Sequence, residues 1–316
     1  MPRFQKRAAG RLALFLSAGL LAAACTPTPP RLPGSVAAGV PARLRVRVAG
    51  RVVTVPLEEY VLGTALSEIT PTGESARVAT RVYEVQAIIA RTYAASQAGR
   101  HAAEGFDVCD DTHCQVYQPA RIASSSFSAP ARDAVRRTAG RILRFGRQPA
   151  QTLFHADCGG STTTPAVAWG GPALAYLPAS PDDVPGVRHR SWQFAGTAQE
   201  WATVLGRDPR TNPGGPLRDI RVLQADVSGR AVLVEITGAQ IKRVRGETLR
   251  TAITAARGVR AFMSSRFQIT RTQDGFRADG TGFGHGVGLC QVGTIARARR
   301  GDSLQAILAH YYPGAR

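Results

Sequence analysis

Residues 55–69 read VPLEEYVLGTALSEI, and this stretch decides how the folded part of the chain begins. Its proline suits the first turn of a helix, and Glu58 and Glu59 follow where the helix dipole favours acidic side chains. The pattern predicts a short helix over residues 57–66, which ends just before Glu68. A carboxyl group at such a helix end can point into a cleft, so Glu68 is the first candidate for chemistry.

On both sides of this stretch the sequence predicts further regular structure. Residues 43–55 alternate apolar and polar side chains around Ala49-Gly50, which predicts a β-hairpin. Downstream, apolar residues recur at spacings of three and four up to Thr92 and Tyr93, which predicts a longer helix. These apolar residues are Val78, Val82, Val85 and Ile89. A hairpin that leads into two helices indicates an α+β fold.

The rest of the chain continues as a mixture of helices and antiparallel strands. Helices are predicted over residues 131–138, 247–256, 293–300 and 303–311. Strands are predicted over residues 141–145, 151–155, 191–194, 220–227, 231–236, 267–272 and 276–278, the last two joined by the hairpin signal Asp274-Gly275. Residues 99–129 are expected to form a structured loop, and residues 165–187 a Pro/Gly-rich connection that holds Trp169. The fold class is therefore α+β in one domain over residues 43–316, and the order also allows a smaller inserted lobe at residues 190–265.

The composition narrows the class of partner. The 316 residues contain 40 Lys+Arg against 22 Asp+Glu, a net charge of +18, and only Lys6 and Lys242 are lysines. Hydrophobic content of 44% and charged content of 20% exclude a disordered or collagen-like chain. A cationic surface favours anionic partners such as nucleic acid, anionic lipid or cell-wall polymer, although genomic base composition also explains a preference for arginine. No motif supports nucleic-acid binding. The export signal predicted at the N-terminus also argues against it.

Residues 1–25 have the features of an export signal. The first eleven residues hold basic side chains and no acid, and residues 12–24 form an apolar run too short to span a bilayer. Small residues then lead to Cys25, which leaves two alternatives: a lipoprotein signal with Cys25 lipidated, or ordinary cleavage nearby. Residues 26–42 are rich in Pro and Gly and are expected to form a tether. The protein is therefore expected to be exported to the cell envelope, with membrane attachment only through Cys25.

Export changes the interpretation of the four later cysteines, which are Cys109, Cys114, Cys158 and Cys290. Outside the cytoplasm an even number of cysteines permits disulfides. Two of them are also close to histidines, and His101, Cys109, His113 and Cys114 suit tetrahedral zinc. A structural zinc site and a disulfide, Cys109–Cys114 or Cys114–Cys158, are the two alternatives. A nearby His155 invites a thiol-protease interpretation, but a disulfide partner or buried thiol explains Cys158 better.

Six stretches, in order, resemble the SpoIID/LytB family, which is named for stage II sporulation protein D and an amidase enhancer. They are VPLEEYVLGTALSEI (55–69), VQAIIARTYA (85–94), DVCDDTHCQVY (107–117), FHADCGGSTT (154–163), GTGFGHGVGLCQVG (280–293) and ILAHYYPG (307–314). The resemblance implies a lytic transglycosylase that cleaves MurNAc-GlcNAc strands free of stem peptides and leaves 1,6-anhydroMurNAc ends. Glu68 occupies the position of the catalytic acid, with Ile69 where the family often has methionine, and no cofactor is required for catalysis.

The resemblance also suggests roles for other residues. Some family members hold zinc in this region, and His101, Cys109, His113 and Cys114 are the matching residues here. Arg91 and Tyr93 lie in the block ARTY, where Arg91 either holds an acetamido or carboxylate group of the glycan or packs inside the protein. His285 and Gln291 are expected to hydrogen-bond the glycan or to brace a glycine-rich loop that approaches it. The alternative function is a non-catalytic wall-binding protein that enhances a peptidoglycan amidase.

Overall fold

The computed structural model describes residues 39–182 and 184–316. The predicted export signal and all but the end of the predicted tether lie outside these residues. None of the described helices is both long and apolar enough to cross a membrane.

The strands and helices follow one another along the whole described chain. The strands are β1 (Arg43–Val48), β2 (Arg51–Pro56), β3 (Val108–Cys109), β4 (Arg144–Phe145), β5 (Gln148–Pro149), β6 (Phe154–His155), β7 (Ser191–Thr197), β8 (Asp219–Ala225), β9 (Ala231–Thr237), β10 (Ile241–Val244), β11 (Phe267–Arg271), β12 (Gly275–Thr281) and β13 (Leu289–Cys290). The helices are α1 (Leu57–Glu68), α2 (Ala76–Gln97), α3 (Arg121–Ser124), α4 (Ser128–Arg137), α5 (Pro165–Trp169), α6 (Ala198–Leu205), α7 (Gly246–Arg257), α8 (Gln291–Arg300) and α9 (Leu304–Tyr311). This mixture confirms the predicted α+β class.

The first hydrophobic core surrounds α2, which is buried along most of its length. The helix begins at Ser75, whose hydroxyl accepts a hydrogen bond from the Val78 N–H at 3.4 Å. Helices α1, α4, α8 and α9 pack against it. On one side, β1 pairs antiparallel with β2 and parallel with β3, so that Val46 lies opposite Val108. The core therefore joins the start of the described chain to its last two helices.

The second hydrophobic core is built from residues 192–278. Two three-stranded sheets, β11-β12-β7 and β10-β9-β8, contribute to it together with α6 and α7. Trp201 is fully buried at its centre, and its indole N–H donates to the Phe276 carbonyl at 2.9 Å. Helix α6 begins with a capping box in which Thr197 and Glu200 satisfy each other's backbone N–H. The predicted boundary of an inserted lobe at residues 190–265 stays a prediction.

A glycine-rich segment, residues 280–288, lies against the residues that follow β6. Strand β13 pairs in parallel with β6 directly after this segment. Arg230 is fully buried and donates to the Cys158 carbonyl at 2.8 Å and to the Gly284 carbonyl at 3.4 Å. A Cβ at Gly286 would lie 2.2 Å from the Arg230 guanidinium carbon. Any residue other than glycine at this position would therefore clash with the buried arginine.

Several predicted boundaries were wrong for identifiable reasons. The predicted loop at 99–129 contains α3 and the start of α4. Residues 165–187 begin with α5, because Thr164 caps that helix and Pro165 occupies its first turn, so Trp169 lies on a helix. The strands predicted at 141–145 and 151–155 have only two paired residues each, since their partners are equally short.

Candidate functional site

Glu68 is the last residue of α1, and its carboxyl group is partly buried. Its Oε1 atom accepts a hydrogen bond from the Val116 N–H at 2.6 Å. Its backbone carbonyl accepts one from Gln291 Nε2 at 3.2 Å. Two of the predicted site residues, Glu68 and Gln291, are therefore brought together although 223 positions separate them in sequence.

Burial changes the acidity of this carboxyl group. It raises the pKa of Glu68 from 4.5 to about 7, and the Val116 hydrogen bond opposes that shift only partly. No charged side chain of the described residues contributes to the shift. A carboxyl group with this pKa is protonated in a substantial fraction of molecules at neutral pH, as a general acid needs to be.

The loop that supplies the Val116 N–H is anchored along α1. The Tyr60 hydroxyl lies 3.2 Å from Gln115 Oε1, and the Gln118 N–H donates to Ser67 Oγ at 3.0 Å. The rings of Tyr60 and Tyr117 are 5.1 Å apart and tilted. Because residues on both sides of Val116 are held in this way, its N–H is directed at the Glu68 carboxyl group.

Replacement of Gly63 by alanine should loosen this arrangement. A Cβ on Gly63, which faces the loop from α1, would lie 2.5 Å from Tyr117 Cε2. We expect Gly63→Ala to destabilise the protein by about 1–2 kcal/mol in urea unfolding, because overpacking outweighs the better helix propensity of alanine. Adding Tyr117→Ala should remove the clash, so the two changes together should cost less than their sum. A Gly63→Ala protein as stable as the wild type would show that the contact is not tight.

The Glu68 pKa also has a consequence for stability. Its folded-state pKa lies above the unfolded value, so folding is favoured while the group is protonated and loses that advantage as pH rises from about 4.5 through about 7. We expect Glu68→Gln to gain stability relative to wild type by on the order of 2 kcal/mol between about pH 4.5 and about pH 8. Urea unfolding at several pH values measures this gain. Glu59→Gln, an exposed change on the same helix, should show a flat difference, and a flat difference for Glu68→Gln would contradict the raised pKa.

The predicted Cys/His ligands form one cluster beside the same loop. One donor atom from each of His101, Cys109, His113 and Cys114 lies within 4.8 Å of the other three. Cys109 Sγ is 3.7 Å from His113 Nδ1, and Cys114 Sγ is 3.5 Å from His101 Nε2. Both cysteines are free thiols in the structure, and burial beside Cys114 raises the pKa of Cys109 to about 12. Two sulfur and two nitrogen donors at this spacing fit a tetrahedral zinc ion.

The surroundings of the two histidines differ. Nδ1 of His101 lies 2.6 Å from Glu104 Oε1 and donates to it, so Nε2 keeps its lone pair toward Cys114; this hydrogen bond lowers the pKa of Glu104. A carboxylate that orients a histidine in this way is typical of metal ligands. Nε2 of His113, in contrast, lies 3.2 Å from Arg100 Nη2, which can only donate. Because a ligand Nδ1 requires its proton on Nε2, this arginine contact competes with a metal at His113.

Arg91 and Tyr93 lie inside the protein. Arg91 is fully buried, and its Nε and Nη2 donate to the Glu58 carboxylate at 2.8 and 2.5 Å. Its Nη1 donates to the Arg141 carbonyl at 3.1 Å. Tyr93 is buried and its hydroxyl accepts a hydrogen bond from Arg100 at 3.1 Å. In this arrangement the Arg91 guanidinium is occupied by groups of the protein itself, and contact of Arg91 or Tyr93 with glycan stays a prediction.

His285 lies in the glycine-rich segment. Its Nδ1 accepts a hydrogen bond from the Val287 N–H at 3.0 Å, and its ring lies 5.0 Å from Trp169 and 5.5 Å from His155. Burial lowers the pKa of His285 to about 4, so the ring is neutral at neutral pH. The ring is partly exposed, and its interaction with the Phe154 backbone opposes the lowering of its pKa. Its predicted contact with glycan is not tested by this arrangement.

Two residues near Glu68 were missed by the sequence interpretation. Val116 acts through its backbone N–H, which every residue except proline possesses, so no side-chain pattern could identify it. Arg121 donates to the Leu66 carbonyl at 3.3 and 3.2 Å and thereby satisfies the last turn of α1. The available signal was their position in the sequence, because Val116 and Arg121 lie two and seven residues after Cys114, the last residue of the Cys/His cluster.

Family models match two parts of this chain. The family model described as stage II sporulation protein (SpoIID) matches residues 47–145, which include Glu68 and the Cys/His cluster. A domain of unknown function, DUF8618, matches residues 168–288. Stage II sporulation protein D of Bacillus subtilis (strain 168) is 27% identical over 281 residues, which cover 83% of this chain and 74% of that protein.

A second named relative bears on the alternative function. The amidase enhancer of Bacillus subtilis (strain 168) is 24% identical over 294 residues, which cover 79% of this chain but only 39% of that protein. Stage II sporulation protein D of Bacillus amyloliquefaciens is 26% identical over 276 residues. The chain therefore carries a SpoIID domain and is related over most of its length to stage II sporulation protein D and to the amidase enhancer, as its six sequence motifs predicted.

Proposed function

We propose that this protein is a lytic transglycosylase of the cell envelope, which cleaves peptidoglycan glycan strands between MurNAc and GlcNAc. The observation that carries the proposal is the Glu68 carboxyl group, which is partly buried at the end of α1 with a pKa raised to about 7. Relatives named for sporulation and for amidase enhancement support a role at the cell wall.

A single carboxyl group is sufficient for this reaction. Protonated Glu68 donates its proton to the glycosidic oxygen, and the bond from that oxygen to C1 of MurNAc breaks. The resulting carboxylate takes the proton of the C6 hydroxyl, whose oxygen attacks C1 and closes the 1,6-anhydro ring. A hydrolase would instead need a second carboxylate at roughly 5–9.5 Å.

The surroundings of Glu68 support both of its protonation states. Burial favours the neutral acid before bond cleavage, and the Val116 N–H at 2.6 Å stabilises the carboxylate that forms afterwards. The side-chain amide of Gln291 donates to the Glu68 backbone carbonyl and so holds the end of α1 in place. The net charge of +18 favours residence on an anionic wall.

Zinc at the Cys/His cluster would have a structural role in this proposal. His101, Cys109, His113 and Cys114 would hold it, and the ion would fix the start of the loop that presents the Val116 N–H to Glu68. It supplies no catalytic group, because four protein ligands leave no position for water or substrate.

The products decide whether the proposal is correct. Purified peptidoglycan, both intact and stripped of stem peptides by an amidase, is incubated with the wild-type protein and analysed by mass spectrometry. We expect 1,6-anhydroMurNAc ends, in larger amount from the stripped strands. Reducing MurNAc ends would show a hydrolase instead.

The second candidate is a non-catalytic wall-binding protein that enhances a peptidoglycan amidase, which the named amidase-enhancer relative favours. Under this alternative the protein would sediment with peptidoglycan and accelerate an added amidase without producing anhydro ends. The same incubation, with and without the amidase, separates the two functions.

A further inference from the structure

A second cluster of metal-ligating side chains lies outside the site described above. His155 and Cys290 are the last residues of β6 and β13, and they lie opposite each other in the parallel pair. Cys158 follows three residues after His155. A ring nitrogen of His155 and the sulfur atoms of Cys158 and Cys290 lie within 4.8 Å of one another. All three residues are buried, and both cysteines are free thiols.

The hydrogen bonds of His155 prepare one of its nitrogens to bind a ligand. Nδ1 lies 3.2 Å from the Val287 carbonyl, which can only accept, so Nδ1 carries the proton. Nε2 then has a free lone pair, yet it is buried and has no hydrogen-bond partner among the described residues. An unpaired polar atom in a protein interior costs about 1–3 kcal/mol, so it calls for an explanation. A histidine whose other N–H donates to a backbone carbonyl is the usual form of a metal ligand.

The two sulfur atoms are surrounded by backbone donors. Cys290 Sγ accepts hydrogen bonds from the N–H groups of Cys158 at 3.2 Å and Gly293 at 3.3 Å. Cys158 Sγ accepts one from the Gly160 N–H at 3.3 Å. A neutral thiol is a weak acceptor, whereas a thiolate accepts strongly and is the form that binds metals. Three N–H groups directed at two sulfurs therefore suit a pair of metal-bound thiolates.

A carboxylate lies beside one of the two sulfurs. Asp182 is fully buried, and its Oδ2 accepts a hydrogen bond from the Cys158 thiol at 3.5 Å. Tyr311 donates to the same oxygen at 2.7 Å, and Arg297 donates to Oδ1 at 2.9 Å. The nitrogen of His155 and the two sulfurs supply three of the four donors that tetrahedral zinc takes, and Asp182 lies next to one of them.

We propose that His155, Cys158 and Cys290 form a metal site for Zn²⁺ or a similar thiophilic ion, distinct from the one at residues 101–114, with the fourth coordination position left to solvent. The ion would have a structural role and would take no part in the chemistry of the proposed transglycosylase reaction. It ties β6 and β13 to the start of α8, because Cys290 is the residue that caps this helix. Gln291 follows directly and donates to the Glu68 carbonyl, so the ion would fix the residue that braces the end of α1.

Cobalt titration of the full-length protein under reducing conditions tests the site. Co²⁺ bound by thiolates in a tetrahedral site gives sulfur-to-metal charge-transfer absorption and intense visible bands. We expect the wild type to bind a second equivalent beyond the Cys/His cluster. The variant Cys109→Ser/Cys114→Ser should keep only the site at Cys158 and Cys290, and the matched variant Cys158→Ser/Cys290→Ser should keep only the site at Cys109 and Cys114. His155→Ala, made in the Cys109→Ser/Cys114→Ser background, should abolish or weaken the remaining charge-transfer band.

A measurement on the wild-type protein avoids dependence on how well the variants fold. Native mass spectrometry of Zn²⁺-loaded protein should show a second zinc ion, and the denatured protein should retain all described thiols for alkylation. A denatured mass lighter by two hydrogens, with Cys158 joined to Cys290 in peptide mapping, would overturn the metal site in favour of a disulfide. Free thiols at both positions with zinc only at the first cluster would overturn it as well.

Discussion

Glu68→Gln should reduce the formation of 1,6-anhydroMurNAc ends by about 10²–10⁴-fold, the usual contribution of a general acid–base group. Glutamine keeps the size of the side chain, and its amide oxygen can still accept the Val116 hydrogen bond, so the loop should remain in place. It has no proton of suitable acidity for the glycosidic oxygen and cannot take one from the C6 hydroxyl. The loss should therefore appear in kcat, with binding to peptidoglycan unchanged.

Glu59→Gln is the matched control for this prediction. Glu59 lies on the same helix, is exposed, and loses the same charge in the substitution. It should retain wild-type product formation. If Glu68→Gln released anhydro ends at the wild-type rate, Glu68 would not be the acid, and if wild type and variant were both inactive while binding glycan, the amidase-enhancer function would take its place.

The pH dependence adds an independent requirement. Because the free enzyme needs Glu68 protonated, the rate of anhydro-end formation at low substrate should fall as pH rises above about 7, the pKa that burial gives this residue. A fall centred near 4.5 would instead indicate a solvated carboxyl group.

The position of Glu68 could be predicted from sequence because its cause is local. The stretch at 55–69 contains its own helix start, its apolar face and its end, and α1 extends only two residues beyond the predicted Leu66. The pKa of Glu68 could not be predicted in the same way. It depends on the loop at residues 115–118, which is held against α1 by contacts 51–55 positions apart in sequence.

The difference between local patterns and contacts distant in sequence also explains which other site residues could be predicted. Gln291 was predicted to contact glycan or to brace a loop, and the structure shows it bonded to the Glu68 carbonyl, a contact that no local pattern encodes. The division of four cysteines into Cys109 with Cys114 and Cys158 with Cys290 likewise depends on the parallel pairing of β6 with β13. Cys-His spacing identifies only the first pair, because its ligands are close in sequence.

Glu58→Ala should destabilise the protein by about 3 kcal/mol, because it leaves the Arg91 guanidinium buried without its anion. Arg91 is fully buried, while the side chain of Glu58 is 42% exposed, so the cost lies at the lower end of the range for a broken buried ion pair. Urea unfolding measures the loss. Glu59→Ala, at the next position of the same helix, is exposed and should change the free energy of unfolding by about 0.5 kcal/mol or less.

Substitutions in the Glu58–Arg91 ion pair also distinguish the two roles considered for Arg91, packing inside the protein and binding of glycan. If the arginine serves packing, Arg91→Met alone should cost stability, and adding it to Glu58→Ala should cost less than the sum of the two single changes, since each variant removes the same ion pair. KM for glycan, measured on the folded Arg91→Met protein, should then stay close to the wild-type value. A stable Arg91→Met protein with a raised KM would instead assign this arginine to the substrate, because a guanidinium that binds glycan must leave the Glu58 carboxylate and reach the surface.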